Sequence, residues 1–220
     1  MGVDKAAVLV TGASSGIGQA VSAQFRRQGA RLLLTGRTTN LDTAQPGDLY
    51  VPGDLNDEAF VVALAGRAAE SLGAVDVVVL NHGLQVSSPL TEMAYDDAKD
   101  VLHSNLLSAF LVMKHFAPLM PAAGGSFVCV SSRPGMVGKP EEVMYSAAKG
   151  GLIMLAKGAA IDVSDRRGAP DDCRDRGAVR AGEHLQIESR QSLQDDRLRV
   201  WQLEPELRVA MQCAAQIRKL

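Results

Sequence analysis

Cysteine is scarce in this 220-residue chain. Cys129, Cys173 and Cys213 stand too far apart for a disulfide framework or a zinc motif. Histidine is equally thin, and His82, His103, His115 and His184 show no metal-ligand spacing, so a metal site and histidine catalysis are not expected. Charge of one sign is missing too. With 23 Lys and Arg against 25 Asp and Glu, the net charge of −2 points to no nucleic-acid partner and no polybasic membrane contact. No apolar run approaches the roughly 20 residues that span a bilayer. The segment MGVDKAAVLVTG lacks the basic and apolar regions of a secretory signal, and Ala6 stands where a myristoylation motif wants Ser or Thr. Internal repeats and low-complexity segments are absent. These absences predict a soluble, cytoplasmic chain.

What is present is an alternation. AAVLV (6–10), RLLLTG (31–36), DVVVL (76–80) and SFVCV (126–130) are nearly continuous in apolar character, as strands covered on both faces should be. Between them GQAVSAQFRRQG, DEAFVVALAGRAAESLG and DDAKDVLHSNLLSAFLVMKHFAPLM carry apolar residues at helical spacing. Strands alternating with helices predict an α/β fold, a doubly wound parallel sheet with helices on both faces.

The first strand leads straight into VLVTGASSGIG, which sets Gly12, Gly16 and Gly18 at the start of a helix. Glycine permits a tight turn and a close approach of backbone to ligand. The helix N-terminus offers N–H groups and partial positive charge to a pyrophosphate. Gly12, Ser14, Ser15, Gly16, Ile17 and Gly18 are the candidate residues of this turn.

Thr11 to Gly18 resembles the TGxxxGxG cofactor motif of the short-chain dehydrogenases/reductases, and further landmarks follow in the order of that family. Asp54 and Leu55 in VPGDLND look like its adenine-contacting pair. LNHG (80–83) stands where the family has NNAG, with Asn81 and Gly83 matching and Leu80 and His82 departing. Asn105, Ser132, Tyr145 and Lys149 match its catalytic tetrad in order and approximate spacing. The resemblance covers residues 6 to about 163 and implies a Rossmann fold. It implies hydride transfer between a nicotinamide cofactor and a small carbonyl or alcohol substrate, with 3-oxoacyl-thioester reductases among the similar members.

The residue chemistry agrees with that. Tyr145 and Lys149 are four apart in a helix-compatible stretch, so they share a face. A tyrosine has a pKa near 10, and a neighbouring lysine cation favours the phenolate, making Tyr145 a usable proton donor and acceptor. Ser132, just past a parallel strand, lies where open sheets bind ligands and can hydrogen-bond a substrate carbonyl. The resemblance further implies that Lys149 holds the nicotinamide ribose and Asn105 anchors a relay water. At the end of the second strand Gly36 and Arg37 replace the carboxylate that NAD-specific folds present to the ribose. Arg37 can pair with a 2′-phosphate and Ser14 and Thr38 can add hydroxyl donors, which favours NADP over NAD.

Beyond Val163 the writing changes. Residues 164–220 hold ten arginines and one lysine, whereas residues 1–163 hold six of each. HLQIES (184–189) and RLRVWQL (197–203) read as strands and ELRVAMQCAAQIRKL (206–220) as an amphipathic helix, or the whole stretch as a solvated loop. Nothing there matches the family's IRVNxVxPG strand, substrate loop or final strand. The chain therefore divides into a catalytic domain, 1–163, and an atypical tail, 164–220, arising by a shifted reading frame or by natural divergence. Two expectations follow: SFVCV becomes an exposed sheet edge, and the protein is either an active reductase or an inactive nucleotide-binding or interaction protein. The family pairs subunits through its long helices and again through its final strand; only the helices are kept here, so the expected assembly is a homodimer.

Overall fold

Strand β1 (Ala7–Thr11) is buried along its whole length, because β2 (Arg31–Gly36) and β4 (Val77–Leu80) flank it and helices cover its faces. In this computed structural model, which describes residues 4–122, 124–165, 186–187 and 214–218, β1 lies parallel to both neighbours. Val10 is in register with Leu34 on one side and Val79 on the other. β3 (Leu49–Pro52) extends the sheet beyond β2, and β5 (Ser126–Val130) extends it beyond β4, both in parallel. The order β3-β2-β1-β4-β5 reverses direction between β1 and β4, and such a switch point opens a crevice at the carboxyl ends of the strands. The parallel α/β architecture expected from the alternation is present.

Local chemistry sets the helix limits. Ser15 caps α1 (Gly16–Arg27) by accepting from the Gly18 N–H, and Arg26 and Arg27 complement the dipole in its last turn. Asp57 caps α2 (Glu58–Leu72), which Gly73 closes with a positive φ of 74°. The long segment read as one helix is three: α3 (Tyr95–Leu102), a π turn (His103–Leu107) and α4 (Ser108–Phe116). A short α5 (Pro134–Val137) precedes α6 (Val143–Asp165).

One core layer packs α2, α4 and α6 against the sheet through Val61, Leu64, Val112, Phe116, Leu152 and Ala156. The opposite layer sets Val21 of α1 against Val8, Val10, Leu32 and Leu34. Phe116 is fully buried, so Phe116→Ala is expected to lower the unfolding free energy by about 3–5 kcal/mol, measured by urea denaturation.

The edge expected at β5 is paired. β7 (Ala214–Arg218) lies antiparallel to it, Val130 opposite Ala214 and Ser126 opposite Arg218, and β6 (Gln186–Ile187) pairs with β7. The covering segment comes from the stretch read as an amphipathic helix, which corrects that reading; a five-residue piece is too short for periodicity to decide. An open edge of N–H and C=O groups favours any extended segment within reach. Gln186–Ile187 falls inside HLQIES, read as a strand, whereas RLRVWQL lies outside the described residues.

Candidate active site

The loops after β1 and β4 meet at the switch point. Gly12 turns the first loop with φ +61°, and a Cβ there would come within 3.0 Å of the His82 Cα. A Cβ on Gly18 would lie 2.2 Å from the Gly12 carbonyl oxygen, so the helix can begin this close to the strand only without a side chain. Gly16 differs: it is exposed, and a Cβ there would meet nothing within 4 Å. No atom of the described residues demands glycine at position 16; what its absence of side chain keeps clear is the approach to the α1 N-terminus. Asn81 locks the two loops together, its Nδ2 donating to the carbonyls of Thr11 and Gly12 at 3.2 and 3.1 Å.

A cleft of about 260 Å³ opens from this junction. Of the expected cofactor residues, Gly12, Ser14, Ser15, Arg37, Thr38, Asp54, Leu55, Asn81 and Gly83 line it; Gly16, Ile17 and Gly18 form the helix start beside it. Three further residues on its wall carry no signal that spacing reveals: Asn56, Ser104 and His82. Asn56 Nδ2 donates to Ser104 Oγ at 3.2 Å and so ties the loop after β3 to the π turn. Tyr50 reaches over from β3, its hydroxyl 2.5 Å from the Thr38 carbonyl, and holds the Arg37–Thr38 loop at the rim. Arg37 itself is exposed.

The four expected catalytic residues come from three elements. Lys149 on α6 is buried, donates to the Val130 carbonyl at 3.0 Å and places its Nζ 5.7 Å from the centre of the Tyr145 ring. Asn105 sits in the π turn and is 1% exposed, contrary to what a helical asparagine suggests. Its Nδ2 donates to the carbonyls of Leu84 and Val101 at 2.6 and 2.8 Å, while its Oδ1 is buried without a partner among the described residues. Gly83 separates these groups: a Cβ there would lie 2.4 Å from Asn105 Oδ1 and 3.4 Å from Lys149 Nζ. Ser132 follows β5 by two residues, and its neighbour Ser131 donates to the Lys149 carbonyl at 3.0 Å, pinning the strand end to α6.

Burial dominates the electrostatics. It pushes the Lys149 ammonium down to about 8, the Cys129 thiol up to about 12 and the His82 imidazole down to about 3, the Lys149 charge adding to the last. Below pH 8 Lys149 is charged in both folded and unfolded chain, and the fold bears the full penalty of a buried cation. Between pH 8 and about 9 the unfolded chain holds a Lys149 proton that the folded chain has released, so stability rises with pH; above 9 the Cys129 thiol, ionised only in the unfolded chain, offsets that rise. Comparing urea midpoints of the wild type and Lys149→Met from pH 7 to 9 checks this: the rise belongs to the wild type alone.

No helix among the described residues is long and apolar enough to cross a membrane. Among those residues no cluster of three His, Cys, Asp or Glu side chains is placed to hold a metal ion.

The family model described as short chain dehydrogenase matches residues 6–167. The chain is 33% identical to a 3β-hydroxysteroid dehydrogenase of Mediterraneibacter gnavus, over 74% of this chain and 62% of that protein. It is 36% identical to a cis-4-hydroxycyclohexanecarboxylate dehydrogenase of Sinomonas cyclohexanicum, over 70% of this chain and 65% of that protein. It thus spans less than two thirds of the length of these curated relatives. A solved structure from Agrobacterium tumefaciens, named as a candidate gluconate dehydrogenase, superposes with a TM-score of 0.70 at 28% identity, over 74% of this chain and 68% of that one. With its glycine turn, its strand order and this match, the chain belongs to the short-chain dehydrogenases.

Proposed function

We propose that this protein interconverts a ketone and a secondary alcohol with NADP(H). The observation that carries the reading is the buried pair behind Gly83 of the cleft wall: Asn105 Oδ1, without a partner among the described residues, and the Lys149 ammonium both border that glycine, though neither lines the cleft itself. Gly12, Ser14, Ser15, Gly16, Ile17 and Gly18 would hold the pyrophosphate, Asp54 and Leu55 the adenine, and Asn81, Gly83, Tyr145 and Lys149 the nicotinamide ribose side. A nicotinamide held there would supply or accept the hydride. Tyr145 gives the proton to the carbonyl oxygen or takes it from the alcohol, and Ser132 hydrogen-bonds that oxygen. Lys149 stabilises the phenolate, and Asn105 Oδ1 accepts from a water that passes the proton outward.

The test is oxidation of NADPH with a panel of ketones, and the reverse reaction with alcohols. Two of the relatives above are named for ring-borne secondary alcohols and the solved structure for gluconate, so cyclic alcohols and sugar acids lead the panel. NADPH binding by fluorescence without turnover of any substrate favours an inactive nucleotide-binding protein instead. The family match ending at residue 167 is the observation behind that second reading.

For the cofactor, the exposed Arg37 at the rim and the missing carboxylate at the β2 end support NADP over NAD. Arg37→Asp is expected to weaken NADPH binding by roughly 10–100-fold and NADH binding far less, since a charge-assisted pair with the 2′-phosphate is replaced by repulsion. An equal loss for both cofactors would reject the assignment.

A homodimer is part of the same reading, as is a cytoplasmic location. Leu107 and Phe110 on one side and Met154 and Ile161 on α6 are between 39% and 57% exposed, at spacings that put each pair on one helix face. Phe110→Glu combined with Met154→Glu is expected to give monomers in light scattering.

A further inference from the structure

His82 occupies the position where the NNAG pattern has alanine, and its imidazole joins two parts of the site that nothing else among the bonds described above connects. Its Nδ1 lies 2.7 Å from Thr11 Oγ1, at the end of β1, and its Nε2 lies 2.8 Å from Ser108 Oγ, the first residue of α4. Thr11 and Ser108 are both fully buried. The proton positions follow from the partners. Thr11 spends its hydroxyl proton on the Val79 carbonyl at 3.0 Å, and its oxygen accepts from the Asn81 N–H at 3.0 Å. The short contact to His82 is therefore donated by Nδ1–H, which leaves Nε2 to accept from the Ser108 hydroxyl. Desolvation keeps the ring neutral, as that arrangement requires.

The two ends of this bridge matter because of where they sit. Thr11 precedes Gly12, whose loop lines the cleft; Ser108 directly follows the π turn, and its N–H donates to the His103 carbonyl that closes that turn around Asn105. Neighbouring Gly83 is the spacer between Asn105 Oδ1 and Lys149 Nζ. We propose that His82 is a positioning residue that couples the glycine loop to the turn bearing Asn105, so that the relay oxygen is held in register with the cofactor cleft. This rests on the reductase reading above for its effect on turnover, but not for the bridge itself.

Asparagine reaches about as far as Nδ1 and glutamine about as far as Nε2, so the two links can be kept one at a time. His82→Ala and Ser108→Ala are each expected to lower kcat roughly tenfold with little change in the KM for NADPH, each leaving a buried hydroxyl or ring nitrogen unpaired. The double variant is expected to be no slower than either single one. His82→Asn and His82→Gln each keep one link, so neither is expected to restore kcat. Additive effects in the double variant, or full rescue by either Asn or Gln, would overturn the proposal. Ser108→Ala removes one hydroxyl only, so the comparison survives if His82→Ala fails to fold. Two readouts need no turnover. Nitrogen-15 spectra should show a His82 ring protonated at Nδ1 and untitrated from pH 5 to 8. Amide exchange in residues 103–107 should quicken in His82→Ala and slow again in His82→Gln. A ring that titrates near the ordinary histidine value, or exchange that does not respond, rejects the bridge even if the enzyme is active. If the wild type turns over nothing, the reductase reading fails while these spectra still decide the role of His82.

Discussion

Replacing Tyr145 by phenylalanine is expected to reduce kcat by about 10²–10⁴-fold on every accepted ketone, the range that a positioned general acid contributes. NADPH affinity should change little. The substitution keeps the half-buried ring and its approach to Lys149, whose Nζ lies 5.7 Å from the ring centre, and deletes only the hydroxyl. Steady-state absorbance at several ketone concentrations separates this from a binding defect, because the loss belongs in kcat. A variant that retains full turnover would show that another group moves the proton. The Tyr145 assignment would then be wrong, whatever the family resemblance says.

The second large effect concerns Gly16, and it is informative because the fold should not notice it. Valine at position 16 would extend into space where no atom of the described residues lies within 4 Å of the Cβ. The thermal midpoint should therefore stay near that of the wild type, while NADPH affinity falls roughly 10–100-fold as the side chain obstructs charge-assisted bonds from the helix N-terminus. Gly18→Ala is the contrasting case. Its Cβ would stand 2.2 Å from the Gly12 carbonyl oxygen and 2.9 Å from the Ala13 Cα, so it should destabilise the protein by about 1–3 kcal/mol through overpacking. If Gly16→Val binds NADPH as tightly as the wild type, the cleft does not hold the pyrophosphate where the glycine turn suggests.

Four of the five parallel strands were legible because burial on both faces leaves a continuous apolar run, and β2 and β5 begin and end where RLLLTG and SFVCV do; β3, only partly buried, leaves no such run. The glycine turn was equally legible, since each glycine there answers to a local constraint or to the open helix end. What spacing could not reveal was long-range pairing. Asn56 with Ser104, and His82 with Thr11 and Ser108, are contacts between residues 26 to 71 positions apart. The departure of His82 from the NNAG pattern was the one available signal, and the absence of metal-ligand spacing said nothing about hydrogen bonding. The segment 95–116 looked like one helix because a π turn preserves the local apolar rhythm on each side of itself. The strand at 214–218 was misread because its partner, β5, supplies the reason for its extended form.

That π turn fixes the chain length between α3 and α4 as an integer. A regular α-helix advances about 100° per residue, so the widened turn at His103–Leu107 leaves the two flanking helices out of phase with each other. Ala109, Val112, Met113 and Phe116 meet the core, and Leu107 and Phe110 look outward, only with that offset in place. Deleting one residue within the turn would relax it to ordinary α geometry and leave α4 in phase, at the cost of the widened turn that holds Asn105. Deleting one residue between the turn and Phe116 would instead rotate Phe116 by about 100°, off the sheet. The packing of α4 therefore tolerates a change of length inside the turn and not beyond it.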